Sequence, residues 1–178
     1  MTTTPYLDPQ TIHNPSTGAS PPAAWGDTVR DDLETLARPP GCRMATTAAQ
    51  TTTSGAWFNV SWNAAVDLRD TDGFHTGTGD TIVVPTGLGG IYHLSGSLVW
   101  EADAVGVRMA RYSINGAGDY RLAAGFVAGD TYATRLSFAE DIELDAADVL
   151  RIGAFQDTGG GRDLLADCKV SLRMVAVS

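Results

Sequence analysis

Residues 70–100 read DTDGFHTGTGDTIVVPTGLGGIYHLSGSLVW, and the punctuation of this stretch decides the fold. Gly73, Gly77 and Gly79 mark a turn region, Thr81–Val84 is an apolar β-branched run, and Pro85–Gly90 is a Pro-Gly loop. Ile91–Trp100 follows as a second, alternating run. Glycines at the bends, with β-branched or aromatic residues between them, specify short antiparallel strands.

The same grammar continues in both directions, and no helical period appears after Cys42. Upstream, Cys42–Thr47 reads as a first strand, Ala48–Gly55 as a polar loop or extended connection, and Trp57–Leu68 as one or two strands. Downstream, Val105–Ile114 leads into Asn115-Gly116, the strongest hairpin signal in the chain. Tyr120–Val127, Thr131–Phe138, Asp141–Leu144, Val149–Gln156 and Asp167–Val177 complete a set of about eight to ten strands, spaced as in an all-β sandwich. Gly159–Gly161 reads as a loop tip.

The N-terminal part differs in kind. Residues 1–20 are rich in Thr, Pro, Ser and Asn and have no apolar period, so they cannot bury enough surface to order themselves. They are expected to be an extended arm, ordered only against a partner subunit, with Tyr6, Leu7 and Ile12 as anchors. Residues 21–38 are the one convincing helix: Ser20 caps it, prolines occupy its first turn, and Pro39-Pro40 stops it. Trp25, Val29, Leu33 and Leu36 form one apolar stripe, which packs on its own domain or docks on a partner. The expected organisation is an arm (1–20), a short helix with a Pro-Pro linker (21–40) and a β domain (41–178).

Composition excludes several classes. The 178 residues carry a formal charge of −9, and Lys169 is the single lysine. A nucleic-acid surface needs a basic stripe to displace counterions, so no nucleic-acid partner is expected. The apolar runs are too short to span a bilayer, and Met1–Pro5 opens no Sec-type signal peptide, so neither a membrane nor secretion is expected. Two cysteines are too few for a disulfide framework, and Cys42 and Cys168 are read as reduced, partly buried thiols. A bridge between them is the alternative if the first and last strands are neighbours.

The order of features between residues 56 and 177 resembles the tumour-necrosis-factor and complement globular-head superfamily. Gly73-Phe74, Val84-Pro85 and Gly90-Ile91-Tyr92-His93-Leu94 fill the places of that pattern. Ile114-Asn115-Gly116 is similar to its hairpin, and Asp141–Leu150 to its strand, Gly-Asp, strand signature. Ala147 stands where the family has Gly, and the last strand lacks the family's aromatic closing motif. The resemblance implies a ten-stranded jelly roll that forms tight trimers. Residues 11–42, TIHNPSTGASPPAAWGDTVRDDLETLARPPGC, look like the openings of small virion proteins of tailed phages infecting actinobacteria.

No catalytic constellation is visible, and neither an enzyme nor a cofactor is expected. The nearest approach to a metal site is Asp70 and Asp72 before Gly73, with Asp80 nearby, a candidate for calcium. Thr81 stands where an EF-hand needs a bidentate Glu, so an Asx-turn is the preferred reading and no metal is expected. His13, His75 and His93 lack ligand spacing, and His93 reads as a partly buried or interface residue. Ser95-Gly96-Ser97 is no nucleophile elbow, and Glu140, Asp141, Glu143, Asp145 and Asp148 read as a solvated edge. Asn59-Val60-Ser61 matches a glycosylation sequon by accident. Trp57, Trp62, Tyr92, Trp100, Tyr112, Tyr120 and Tyr132 are first a core and interface resource, with sugar stacking open to any at loop tips.

The expectation is therefore a virion structural protein, assembled in the host cytoplasm. It is a homotrimeric jelly-roll head anchored through residues 1–40 to the capsid exterior, as a decoration protein or head fibre, or to the tail. The alternative is a tail-fibre or baseplate module that binds a receptor or a host-surface glycan.

Overall fold

The chain is described by a computed structural model covering residues 38–63, 69–70, 72–116, 120–127 and 132–177. The expected arm, and the expected helix through residue 37, lie outside these residues. The described residues form strands β1 (Gly41–Ala45), β2 (Gln50–Thr52), β3 (Ala56–Asn59), β4 (Trp62–Asn63), β5 (Arg69–Asp70), β6 (Thr78–Gly79) and β7 (Ile82–Val83). These are followed by β8 (Gly90–Trp100), β9 (Val107–Ile114), β10 (Tyr120–Val127), β11 (Thr134–Leu144), β12 (Val149–Gln156), β13 (Arg162–Leu164) and β14 (Lys169–Val177). Eight of these fourteen have four or more residues and make up the main body.

One sheet runs β2-β13-β8-β14-β1-β5, with β11 on the other edge of β8. The second runs β10-β9-β12-β3, with β7 also on β12, and β4 and β6 form a separate ribbon. Every pairing is antiparallel. The first and last long strands are neighbours, as a jelly roll requires.

Alternation places the core between the sheets. Met44, Tyr92, Leu94, Leu98, Trp100, Leu172 and Leu144 enter from the first sheet, and Ala110, Tyr112, Leu150 and Ile152 from the second, all 0–1 % exposed. Gly96 lies among the inward positions of β8 because a Cβ there would stand 2.5 Å from Cζ of Phe138 and 2.8 Å from the Lys169 carbonyl. The core ends in polar residues: Arg108 and Gln156, opposite one another on β9 and β12, are fully buried, with the Arg108 guanidinium 5.9 Å from the Trp100 ring centre.

Two sequence expectations about strands need correction, and a third alternative, a bridge between the cysteines, falls away. Thr131–Phe138 and Asp141–Leu144 are not two strands; residues 134–144 pair continuously with β8. The three consecutive exposed residues Ala139, Glu140 and Asp141 imitate a turn, but the ladder passes through them. The connection Ala48–Gly55 contains β2, held by β13, with Thr52 buried and its hydroxyl donating to the Arg162 carbonyl at 2.8 Å. The cysteines are both buried and free. Although β1 and β14 are neighbours, Cys42 faces Leu172 in the register, four positions from Cys168. That offset is about 13 Å along the strands, well beyond a disulfide's reach.

The motifs that carried the family resemblance meet in space. Phe74 and Tyr92 pack edge to face, 5.9 Å between centroids at 75°, and the Tyr92 hydroxyl donates to the Leu88 carbonyl in the Pro85 turn. Val84 donates to the Asp148 carbonyl and accepts from the Ala147 amide, both at 2.9 Å, which ties the Pro85 strand end to the Asp141–Leu150 signature. Asp148 then accepts from Asn115 Nδ2 at 2.7 Å and from the Asp145 amide at 2.8 Å. Ala147 has φ 72°, the left-handed conformation that glycine adopts freely and alanine holds only at a cost.

Candidate interaction face

Four strands of the first sheet, in the order β11-β8-β14-β1, turn one face inward and the other to solvent. The alternation that buries Leu94 and Leu98 forces their neighbours outward. On β8 the outward residues are Ile91, His93, Ser95 and Ser97, and on β11 they are Arg135, Ser137, Ala139, Asp141 and Glu143. On β14 they are Lys169, Ser171 and Arg173, and on β1 Arg43.

The register arranges these residues in rows. Ala139, Ser95, Ser171 and Arg43 lie side by side, as do Asp141, His93 and Arg173. The middle of the face is therefore short-chained and flat, made of Ser95, Ser97, Ser137, Ala139 and Ser171. Charged residues border it: Asp141 and Glu143, with Arg135 at the far end, on β11, and Arg43, Lys169 and Arg173 across β14 and β1. Among the described residues, Arg43, Lys169, Arg173 and Glu143 have no ion-pair partner. His93 Nδ1 is 2.7 Å from Asp141 Oδ1, with side chains 47 % and 63 % exposed. Arg135 Nη1 donates to Ser97 Oγ at 3.0 Å. At the Glu143 end, Ile91 and Val175 are exposed apolar residues, and the register shift between Met174 and Ala176 marks a bulge at Val175.

The residues singled out in the sequence fall elsewhere. Tyr6, Leu7, Ile12, Trp25, Val29, Leu33 and Leu36 lie outside the described residues. Asp70 Oδ1 accepts the amides of Gly73 at 2.8 Å and Phe74 at 2.9 Å, and Oδ2 accepts that of His75 at 2.8 Å. This carboxylate closes the turn that delivers Phe74 to the core. Asp80 Oδ2 accepts from Asn59 Nδ2 at 3.0 Å and lies 3.4 Å from Arg151 Nε. Among the described residues, Asp70, Asp72 and Asp80 do not assemble into a metal-holding cluster, and no other acidic, His or Cys group does so. Trp62, Tyr92, Trp100 and Tyr112 are core residues, whereas Tyr132 is 74 % exposed. Glu140, Asp141, Glu143 and Asp145 are exposed, the solvated edge expected of them, while Asp148 serves the turn described above.

Sequence reading missed Arg43, Lys169 and Arg173 because they belong to strands at opposite ends of the chain. The available signal was the alternation itself, in which every second residue of 93–97, 135–143 and 169–173 is polar, charged or small. Titration shifts lie off this face. Burial pushes the Cys168 thiol up, although its sulfur accepts the Val99 amide at 3.2 Å. The Val105 amide and Arg162, whose Nη2 is 2.5 Å from Asp103 Oδ2, hold the Asp103 carboxyl below its usual range.

No known family profile and no curated protein matches the sequence. No helix among the described residues is long and apolar enough to cross a membrane. Solved structures do resemble the fold. The globular domain of zebrafish complement 1qA matches with a TM-score of 0.56 and 11 % identity, covering 78 % of this chain and 99 % of that one. Eiger TNF from S. frugiperda matches with a TM-score of 0.54 and 13 % identity, covering 78 % and 94 %. The PRD1 vertex protein P5 matches with a TM-score of 0.56 and 14 % identity, covering 75 % and 96 %. At such identities the likeness is one of fold: an all-β, antiparallel jelly roll of the kind found in complement and tumour-necrosis-factor heads and in a phage vertex protein.

Proposed function

We propose that this chain is a structural protein of a phage particle, a homotrimeric jelly-roll head anchored by residues 1–40 to the capsid exterior. The observation that carries the reading is the combination of a fold shared with a phage vertex protein and an N-terminal segment of a different character from the β domain. The Pro-rich arm and the amphipathic helix expected from the sequence suit docking on a partner subunit, and the β domain suits projection from it. Side chains of the head are spent on turns and on an outward sheet face, which favours an assembly role over catalysis.

Native mass spectrometry tests the oligomer: three copies are expected, and a monodisperse monomer at micromolar concentration overturns it. Electron microscopy of particles carrying labelled protein tests the location. Label on the capsid surface is expected, and label on the tail moves the docking site there. A chain lacking residues 1–40 is expected to be absent from particles while its circular dichroism stays that of a folded β protein; incorporation without those residues removes the anchor from the reading.

A further inference from the structure

Asn115-Gly116 is the chain's one Asn-Gly pair, and it carries a chemistry separate from its turn. Glycine has no side chain to shield its amide nitrogen, and a Cβ built at Gly116 would meet nothing within 4 Å. The side-chain amide carbon of Asn115 is therefore open to attack by the Gly116 nitrogen, and the fold holds that carbon back. Asn115 is exposed, yet its Oδ1 accepts the Val149 amide at 2.9 Å and its Nδ2 donates to Asp148 Oδ1 at 2.7 Å. Its own backbone amide donates to the Val149 carbonyl at 2.8 Å. Attack requires Cγ to swing over its own backbone, and the swing breaks both side-chain bonds, one of them to a carboxylate.

We propose that Asn115 is a site of spontaneous deamidation that the native fold holds closed, and that its conversion unlatches the junction around Asp148. In the reaction the Gly116 nitrogen loses its proton to solvent hydroxide and bonds to Asn115 Cγ. The Cγ–Nδ2 bond breaks, and Nδ2 takes a proton from water and leaves as ammonia. Water then opens the cyclic imide, leaving a carboxylate as aspartate or isoaspartate. The product replaces a donor with an acceptor: where Nδ2 gave a hydrogen to Asp148, aspartate sets a second negative oxygen against it. Asp148 also accepts the Asp145 amide at 2.8 Å, and its carbonyl accepts the Val84 amide at 2.9 Å. The repulsion therefore acts where the Pro85 strand end, the end of β9 and the turn between β11 and β12 meet.

The test uses the full-length chain in mildly alkaline buffer, with peptide mass spectrometry reading aspartate and isoaspartate at residue 115. Native protein is expected to convert at least about tenfold more slowly than the same protein in urea. Asp148→Ala removes the acceptor and is expected to speed native conversion about tenfold, with circular dichroism confirming the fold. Should that variant not fold, the comparison of native and urea-unfolded parent chain decides. Asn115→Asp, the product itself, is expected to lower Tm by about 2–4 °C. Adding Asp148→Asn exchanges the pair, lets the new amide donate to the new carboxylate, and is expected to recover most of that loss.

No conversion at residue 115 in urea would overturn the site itself. Equal rates in native and unfolded chains would overturn the protection, as would an unchanged native rate in folded Asp148→Ala. An Asn115→Asp chain as stable as its parent, or a loss that Asp148→Asn does not recover, would overturn the unlatching at Asp148.

Discussion

The two outer faces of the sandwich solve the same problem in opposite ways. On the face of β3, β12 and β9, the chain covers itself. Phe155 and Trp57 are opposite in the register with rings 5.3 Å apart, and the Arg111 guanidinium lies 4.1 Å over Trp57. Gly153 leaves room for this, since a Cβ there would come 3.0 Å from Arg111 Cγ. Asn59, Asp80 and Arg151 complete a polar border that is satisfied internally. On the face of β11, β8, β14 and β1, small residues lie between uncovered charges of opposite sign. A face that satisfies its own side chains is suited to solvent, whereas one that separates them keeps its electrostatic complement for another surface.

Four variants break or sharpen this contrast. The largest effect is expected at Gly96→Val, where the new side chain strikes Phe138 and the Lys169 carbonyl beneath the uncovered face; urea unfolding should show a loss of about 3 kcal/mol. On the self-covered face, Trp57→Ala removes a half-buried ring together with its guanidinium contact. It should cost about 2 kcal/mol in the same measurement and leave the native mass unchanged. Ala147→Gly relieves a left-handed alanine and should raise stability by about 0.5–1 kcal/mol, read as an upward shift in Tm. Asp141→Lys with Glu143→Lys should change the unfolding free energy by no more than about 0.5 kcal/mol. A large loss of stability would erase the contrast.

A fifth expectation concerns pH and has no effect near neutrality. Burial raises the Cys168 thiol pKa, so the folded state prefers the neutral form. The associated stability is complete below the unfolded thiol's pKa of about 8.5 and is lost as pH rises through the folded value. Alkylation at about pH 8.5 should be slow in the native protein and fast in denaturant. Equal rates would mean that the Cys168 pocket opens readily.

Much of the fold was legible in local patterns. The alternation in Ile91–Trp100 and the boundaries of Tyr120–Val127 and Val149–Gln156 coincide with β8, β10 and β12 or fall within one residue of them. Asn115-Gly116 was legible because both residues need positive φ, and both have it, at 57° and 98°. Strands of two or three residues, such as β6 and β13, were not legible. So few residues carry no period, and their existence depends on a neighbour that sequence does not display. The split assigned near Ala139 failed for a related reason: a short run in mid-strand that breaks the apolar alternation looks like a turn until the partner ladder is known.

From sequence alone followed the all-β class, the acidic, lysine-poor character, the position of Asp70 at a turn and the pairing of Gly73-Phe74 with Gly90-Ile91-Tyr92 as one pattern. Each of these depends on propensity or spacing within a few residues. Tertiary structure alone decided that Phe74 and Tyr92 touch, that Asp148 ties three turns together, that Cys42 and Cys168 stand out of register, and that Arg43 shares a face with Asp141. The physical reason is that antiparallel register joins residues about a hundred positions apart, and only the completed ladders convert alternation along one strand into a surface.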